Sequence, residues 1–355
     1  MKILIDIGHP GHVHLFGNLS RLLMRRGHQV LCTVREKEHE IDLLTYYEMP
    51  FINVGRHYVS GVCKIAGLLI YNLKILFISF RFRPDIYLSH GSVYTLLSSF
   101  LLRRPNIALE DSGNQEQVRL YLPFTRAVIT STSFPYRYGG KQVFYEGYHE
   151  LAYLHPNYFV PDRSVVEELG LAEGDSYFIM RLVGWNASHD RRNSGLTAAQ
   201  AKEIADYLSG RGRLFISSEE KLIPELEQYR FPLNPERMHH ALAFATLFVG
   251  EGATMASESA VLGTHAIYIN TIKRGYLEEQ EVNYGLVDSF SSYKGVIEKI
   301  SQLVNNPCLK HETKVRRERL ISEKCDVTSF LVNFIEEWPT SFNKYNYQCT
   351  NIQFS

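Results

Sequence analysis

The sequence predicts an α/β chain of two Rossmann-like domains, each built on a doubly wound parallel sheet. Three observations predict it. The chain has 355 residues, more than a single hydrophobic core usually serves. Short apolar runs alternate with stretches of helical periodicity from the first residues onward, the βαβ order that builds parallel sheets. That alternation fades near residues 143–161 and then restarts. The chain therefore divides into an N-terminal domain over 1–150, a C-terminal domain over 151–338 and a tail over 339–355.

Residues 3–7 form a brief apolar run and read as a buried strand. Residues 12–26 follow with Val13, Phe16, Leu19, Leu22 and Leu23 at helical spacing, stopped by Gly27. A strand at 29–34, a helix near 38–48 and a strand at 51–54 continue the pattern, before a long apolar helix that ends at Pro84. Runs at 86–89, 107–109 and 127–130 read as further strands, each bounded by Gly, Pro or polar residues. The aromatic stretch at 143–161 reads as a crossover. The second series comprises helix 163–169, strand 177–181, helix 197–208, strand 213–217, helix 221–229, helix 236–245, strand 247–249, helix 253–262 and strand 266–269. Helices at 293–305 and 312–338 close it, and the Asn-, Tyr- and Ser-rich tail is expected to be loosely held.

Composition narrows the function. Lys plus Arg and Asp plus Glu stand at 38 each, so no whole-chain charge points to nucleic acid. Five scattered cysteines without C-x-x-C spacing suggest neither disulfides nor zinc, which fits a reducing cytoplasm. The N-terminus carries no signal-like run. Residues 65–80 are the most lipid-like, but Asn72 and Lys74 interrupt them and the run is short for a span. A buried or surface-docked helix is expected there.

Two motifs carry the chemistry. Gly8-His9-Pro10-Gly11-His12-Val13-His14 lies where the first strand gives way to its helix, the place where open α/β sheets bind ligands. Glycine lets backbone approach a ligand, and histidine suits proton transfer near neutral pH. His12 is the favoured catalytic residue, and the plainer role for His12 or His14 is a helix cap. No carboxylate cluster accompanies the histidines, so no metal site is expected. The second motif is Gly250-Glu251-Gly252-Ala253-Thr254-Met255-Ala256-Ser257-Glu258. Small residues between strand and helix expose amides to a phosphate, and the helix dipole favours the negative charge. Glu258 is placed to accept from ribose hydroxyls.

This second string, with Ala260-Val261-Leu262-Gly263-Thr264-His265-Ala266-Ile267 after it, resembles the nucleotide-binding segment of GT-B enzymes. The likeness extends to non-hydrolysing UDP-N-acetylglucosamine 2-epimerases and to the peptidoglycan N-acetylglucosaminyltransferase. It is nearest to an uncharacterised bacterial and archaeal family related to both. The resemblance implies a GT-B fold, two Rossmann-like domains facing a central cleft, and a nucleotide-sugar, UDP-linked, as substrate rather than a bound cofactor. It implies that Gly252, Ala253, Thr254 and Met255 hold the diphosphate and Glu258 the ribose, with His239 near the base and Gly11 and Arg181 contributing donors. Gly11-His12 is similar to the Gly-Gly-His loop of the transferase, where a histidine is the candidate base.

Ser89-His90-Gly91-Ser92 and Leu109-Glu110-Asp111-Ser112-Gly113 stand where the epimerases carry His-Gly-Asp and Val-Glu-Ala-Gly. Glu110 thus matches an epimerase acid, whereas Ser92 replaces an aspartate. Helix-start capping is the structural alternative for Glu110 and Asp111. The loop around Ser188-His189-Asp190-Arg191-Arg192 loosely resembles an epimerase loop, which makes His189 a third catalytic candidate beside His12 and Glu110.

The expected function is a metal-independent glycosyltransferase passing a sugar from UDP to a glycan or lipid-linked acceptor in surface polysaccharide or glycolipid synthesis. Two other readings fit: a UDP-sugar 2-epimerase, and a non-catalytic nucleotide-sugar-binding protein. The expected location is cytoplasmic. Peripheral contact with the inner face of a membrane and a homodimer are both compatible with the sequence.

Overall fold

Apolar runs too short for a helix become strands, because a pleated segment with helices on both sides buries every side chain. In the computed structural model residues 1–37, 39–56, 61–183, 196–218 and 221–352 are described, the side chains of 61–66 and 347–352 excepted. They form two units. The first comprises 1–153 and 325–355, the second 154–324.

The first unit holds seven strands, β1 (Lys2–Ile7), β2 (Gln29–Glu36), β3 (Phe51–Arg56), β4 (Ile86–His90), β5 (Asn106–Leu109), β6 (Ala127–Ser131) and β7 (Gln142–Tyr145). Their order is β3-β2-β1-β4-β5-β6-β7, and neighbours run parallel. Ile3, Leu4, Ile5 and Ile7 of the central β1 are fully buried. The helix Pro10–Arg25 lays Val13, Phe16, Leu19 and Leu23 into that core.

Chain order reverses between β1 and β4, so the segments after them diverge to opposite faces and leave a crevice at their carboxyl ends. The Gly8 to His14 loop and His90 stand at that crevice.

The second unit has five parallel strands, β8 (Tyr177–Leu182), β9 (Arg213–Ser218), β10 (Leu247–Gly250), β11 (Ala266–Ile269) and β12 (Val287–Phe290), in the order β12-β11-β10-β8-β9. Its reversal lies between β8 and β10, beside Arg181 and Gly250.

The structure departs from the sequence reading at several elements. Residues 142–145, all but the first within the expected 143–161 crossover, are the edge strand β7, and β12 was not foreseen. Both are four residues long and carry polar side chains, so neither shows the apolar run of a central strand. The helix expected over 221–229 is a single turn, Pro224–Glu227, because proline fits only the first turn.

The expected 312–338 helix is two, Leu309–Glu323 and Val327–Glu336, with Asp326 capping the second by accepting from the Ser329 N–H at 2.9 Å. That break is where the chain re-enters the first unit. Residues 325–338 thus belong with the N-terminal unit, not with the second domain proposed over 151–338.

The described part of the tail is held. The helix Thr340–Ile352 lies along β7, and the Asn346 side-chain amide donates to the carbonyls of Gly140 (2.9 Å) and Gln142 (3.1 Å). An open sheet edge is thereby covered.

Beneath the first crevice, Arg35 of β2 reaches Asp6 of β1 through both guanidinium nitrogens, at 2.9 and 3.0 Å. Thr33 and Ser92 also donate to this carboxylate, and Arg35 continues to the Ile7 carbonyl at 3.2 Å. Both members are at most 5% exposed. Removing one side of such a buried pair strands the other charge. Arg35→Ala should therefore cost about 3–5 kcal/mol of stability, read from the denaturant midpoint; a loss below about 1 kcal/mol would show that the pair does not secure the sheet.

Candidate functional site

The histidine loop is built by its own caps. His9 is the N-cap of the Pro10–Arg25 helix, its Nδ1 accepting from the Gly11 N–H at 3.1 Å. A β-carbon on Gly11 would stand 3.2 Å from that nitrogen, which is why glycine serves here. His14 bonds the Tyr47 hydroxyl at 2.9 Å and lies near the Tyr153 ring. The capping role considered for His12 or His14 thus falls to His9, and His12 is left facing β4.

His12 stacks on His90, with centroids 4.6 Å apart and planes at 28°. His90 Nε2 meets Asp111 Oδ1 at 2.8 Å, and the other carboxylate oxygen meets His149 Nδ1 at 3.1 Å. The Tyr145 ring lies parallel to His149. Four strand ends converge: β1 supplies His12, β4 His90, β5 Asp111 and β7 His149. His149 was not foreseen, because its segment carried no strand signal. Its position four residues after β7, beside Glu150, was the available clue.

Charge is sorted within this group. Burial lowers the His90 imidazole, but the charge and hydrogen bond of Asp111 outweigh it and push it up to about 9. Burial likewise works against the Asp111 carboxylate, yet His149 and His90 hold it well below the usual range. His12 goes the other way: burial first, then the charges of His90 and His9, drive it well below an ordinary imidazole. At neutral pH the stack is a neutral ring on a cationic one. The Gly8 N–H points to His12 Nδ1 at 3.3 Å, a long contact. Accepting a proton at Nδ1 needs only its release.

The ligand atoms of His90, Asp111 and His149 lie within 4.8 Å of one another, a cation-binding type of donor set. Here both imidazoles are aimed at the one carboxylate.

Glu110 has a different task. Its Oε1 accepts from the Ser112 N–H (2.7 Å), the Ser112 hydroxyl (2.6 Å) and the Gly113 N–H (3.0 Å), and Oε2 accepts from the Tyr121 hydroxyl (2.6 Å). Both oxygens are occupied in shaping the loop that presents Asp111. The following helix Gln115–Tyr121 is capped by Asn114. Ser92 donates to Asp6 at 2.5 Å and is 7% exposed, so an aspartate there would set a second carboxylate against a buried one.

In the second unit the structure brings Arg181 and the Gly252 loop together. Gly250 pairs with Arg181, and a β-carbon on Gly250 would stand 2.6 Å from the Arg181 carbonyl oxygen. Arg181 donates to the Ser217 hydroxyl at 2.7 Å. The helix Ala253–Leu262 begins at Gly252 with no side-chain cap and no acidic residue in its first turn. Thr254 is exposed, and Gly252, Ala253 and Met255 are half-buried.

Glu251, between the glycines, points inward and accepts from the N–H groups of Val183 (2.9 Å) and Leu196 (2.5 Å). It ties together the two flanks of 184–195. His189 falls in that stretch, outside the described residues. His239 and Glu258 are buried and bonded to each other at 3.0 Å.

The charge sorting has a signature in stability. His90 binds its proton more tightly folded than unfolded, so its contribution is whole below the ordinary 6.5 and is lost as pH rises through about 9. The loss should reach about 3 kcal/mol, counted once for the His90–Asp111 pair. Urea midpoints compared between about pH 6 and pH 10 should fall in the native chain and much less in His90→Gln. Equal falls in both would refute the sorting.

A family model described as "Protein of unknown function (DUF354)" matches residues 1–337. Uncharacterized protein MJ0665 of Methanocaldococcus jannaschii is 22% identical over 278 residues, spanning 74% of this chain and 80% of its own. Among solved structures, Staphylococcus aureus MnaA with UDP superposes at a TM-score of 0.68, with 12% identity, over 96% of this chain and 97% of that one. UDP-GlcNAc 2-epimerase from Neisseria meningitidis bound to UDP-GlcNAc gives 0.65, with 14% identity over 88% and 94%. The Streptomyces sp. SF2575 glycosyltransferase SsfS6 gives 0.59, with 13% identity over 95% and 100%. The fold is thus the GT-B fold that the sequence implied, and the chain belongs to the DUF354 family.

Proposed function

We propose that this chain is an enzyme of nucleotide-sugar chemistry, a glycosyltransferase that moves a sugar from a nucleotide, UDP in the first instance, to a hydroxyl acceptor on a glycan or lipid-linked molecule. The observation that carries the reading is His12, held neutral on a cationic His90 at the carboxyl ends of β1 and β4. A neutral imidazole is the form that can take the acceptor's proton as the new glycosidic bond forms. His90 does not compete for the proton, because it already carries one and is pinned by Asp111.

The second unit would hold the nucleotide. The uncapped helix start at Gly252 to Met255 offers amides to a diphosphate, and Arg181 beside it would offset charge as the nucleotide leaves. The GT-B neighbours determined with UDP and UDP-GlcNAc support a nucleotide-sugar as ligand. His239 and Glu258 would shape the wall beside that helix, Glu258 offering whatever acceptor capacity His239 leaves.

The epimerase reading draws on the solved epimerases of the same fold. Against it, Glu110 is bound at both oxygens and Ser92 stands beside a buried carboxylate. Taking the proton from a sugar carbon and returning it on the other face requires paired acid and base groups.

His12 decides the chemistry. His12→Ala should lower kcat by a factor of about 10² to 10⁴ while changing nucleotide affinity little. His12→Gln, which keeps a side-chain donor, should recover nothing if His12 is the base. A largely active Gln variant would reassign His12 as a hydrogen-bond donor. UDP-GlcNAc incubated alone with the chain and followed by NMR should stay unchanged at the second sugar carbon; inversion there would replace transfer with epimerisation.

A further inference from the structure

The helix Gly61–Phe82 is 22 residues long, and much of its apolar surface is uncovered. Leu69, Leu73, Phe77 and Phe80 are 57 to 64% exposed and recur at the spacing of one helical face. The helix Leu96–Leu101 lies alongside and adds exposed Phe100 and Leu101, and Phe124 meets Phe100 edge-on at 6.2 Å. Scattered apolar side chains on a surface need no explanation, but a continuous band across two helices and a turn does. Between this helix and β3 runs a groove of about 830 Å³, walled by Ile52, Leu73, Phe77, Ile78 and Phe82.

The charges along the two helices are predominantly of one sign, while exposed Glu36 accepts from Asn53 in the β3 wall of the groove at 3.5 Å. From Gly67 to Leu109 the only acidic residue is Asp85, against Lys74, Arg81, Arg83, Arg103 and Arg104. Asp85 is itself engaged, accepting from the Lys2 N–H at 2.8 Å and lying 3.7 Å from Arg104. Arg81, Arg83 and Arg103 are exposed at the ends of the two helices, where the apolar band stops. The whole chain is charge-balanced, so this asymmetry is local.

From these observations we infer that this face of the first unit docks on an anionic bilayer surface. The apolar stripe enters the acyl boundary, chain ends fill the groove, and the arginines at its rim meet lipid phosphates. No described helix is long and apolar enough to cross a membrane. The interior of the long helix is also committed, with Asn72 donating to the Leu68 carbonyl at 2.8 Å and Lys74 to Val54 at 2.6 Å. It lies on the surface rather than spanning it. A second copy of the chain fits less well, because a twofold contact would set one arginine rim against another. Anionic headgroups supply the missing sign.

The test uses the full chain and no nucleotide, so it stands apart from the proposed reaction. Vesicles of phosphatidylcholine containing about one third phosphatidylglycerol should sediment the chain at about 0.1 M salt. Pure phosphatidylcholine, or about 0.5 M salt, should leave at least about tenfold less bound. The double variants L73S/F77S and R81Q/R83Q should each cut binding by about tenfold. Their melting temperatures should match the native chain, since all four side chains are exposed. No sedimentation with anionic vesicles would overturn the inference, as would binding that both variants leave intact. So would a dimer in lipid-free buffer that L73S/F77S converts to monomer, since a second copy would then own the face.

Discussion

The ion pair between Asp6 and Arg35 is the constraint on which the first unit's chemistry rests. It joins β1 to β2 where the sheet opens, and Arg35 lies against the Tyr94 ring with its guanidinium carbon 4.0 Å from the centroid. From there the guanidinium holds the Ile7 carbonyl, immediately before the histidine loop. A β-carbon on Gly8 would stand 3.0 Å from the same guanidinium, so the loop passes directly over it. The site therefore has a rigid charged floor, and a loop on such a floor can present one imidazole in one place. Ser92, bound to the same carboxylate, brings the turn after β4 into register with it.

Three histidines from separate strand ends gather around one carboxylate, and His90 and His12 shift in opposite directions. Asp111 touches His90 and His149, and among the described residues no carboxylate is in direct contact with His12. Burial, and after it the charges of the stacked His90 and of His9, suppress the protonation of His12. The division thus has two causes, burial at His12 and the Asp111 carboxylate at His90. Glu110 contributes indirectly, by folding the loop that places Asp111.

Much of the fold could be read from residue order because central strands are the most apolar segments in the chain. β1, β4, β5 and β6 each announced themselves as a short buried run. β7 and β12 did not, since each is only four residues long and carries polar side chains. The two candidate loops were legible for a similar reason: glycines and histidines directly after a buried strand are conspicuous. The pairing of His239 with Glu258, and of Asp111 with His149, was not, because each joins residues from separate elements. Glu251, which the sequence reading gave no role, sits between Gly250 and Gly252 and faces inward to hold backbone amides.

The return of residues 325–352 to the first unit has a consequence for biosynthesis. As the chain leaves the ribosome, residues 154–324 emerge as a continuous stretch and can collapse as soon as they are made. The first unit must wait with β7 uncovered until Asn346 arrives, and with Asn18 and Ala152 lacking the Thr328 partner that shares the Ala152 carbonyl. The domain begun first is the one completed last. During that interval its bare strand edge is the part of the nascent chain most open to pairing with a neighbour on the same message.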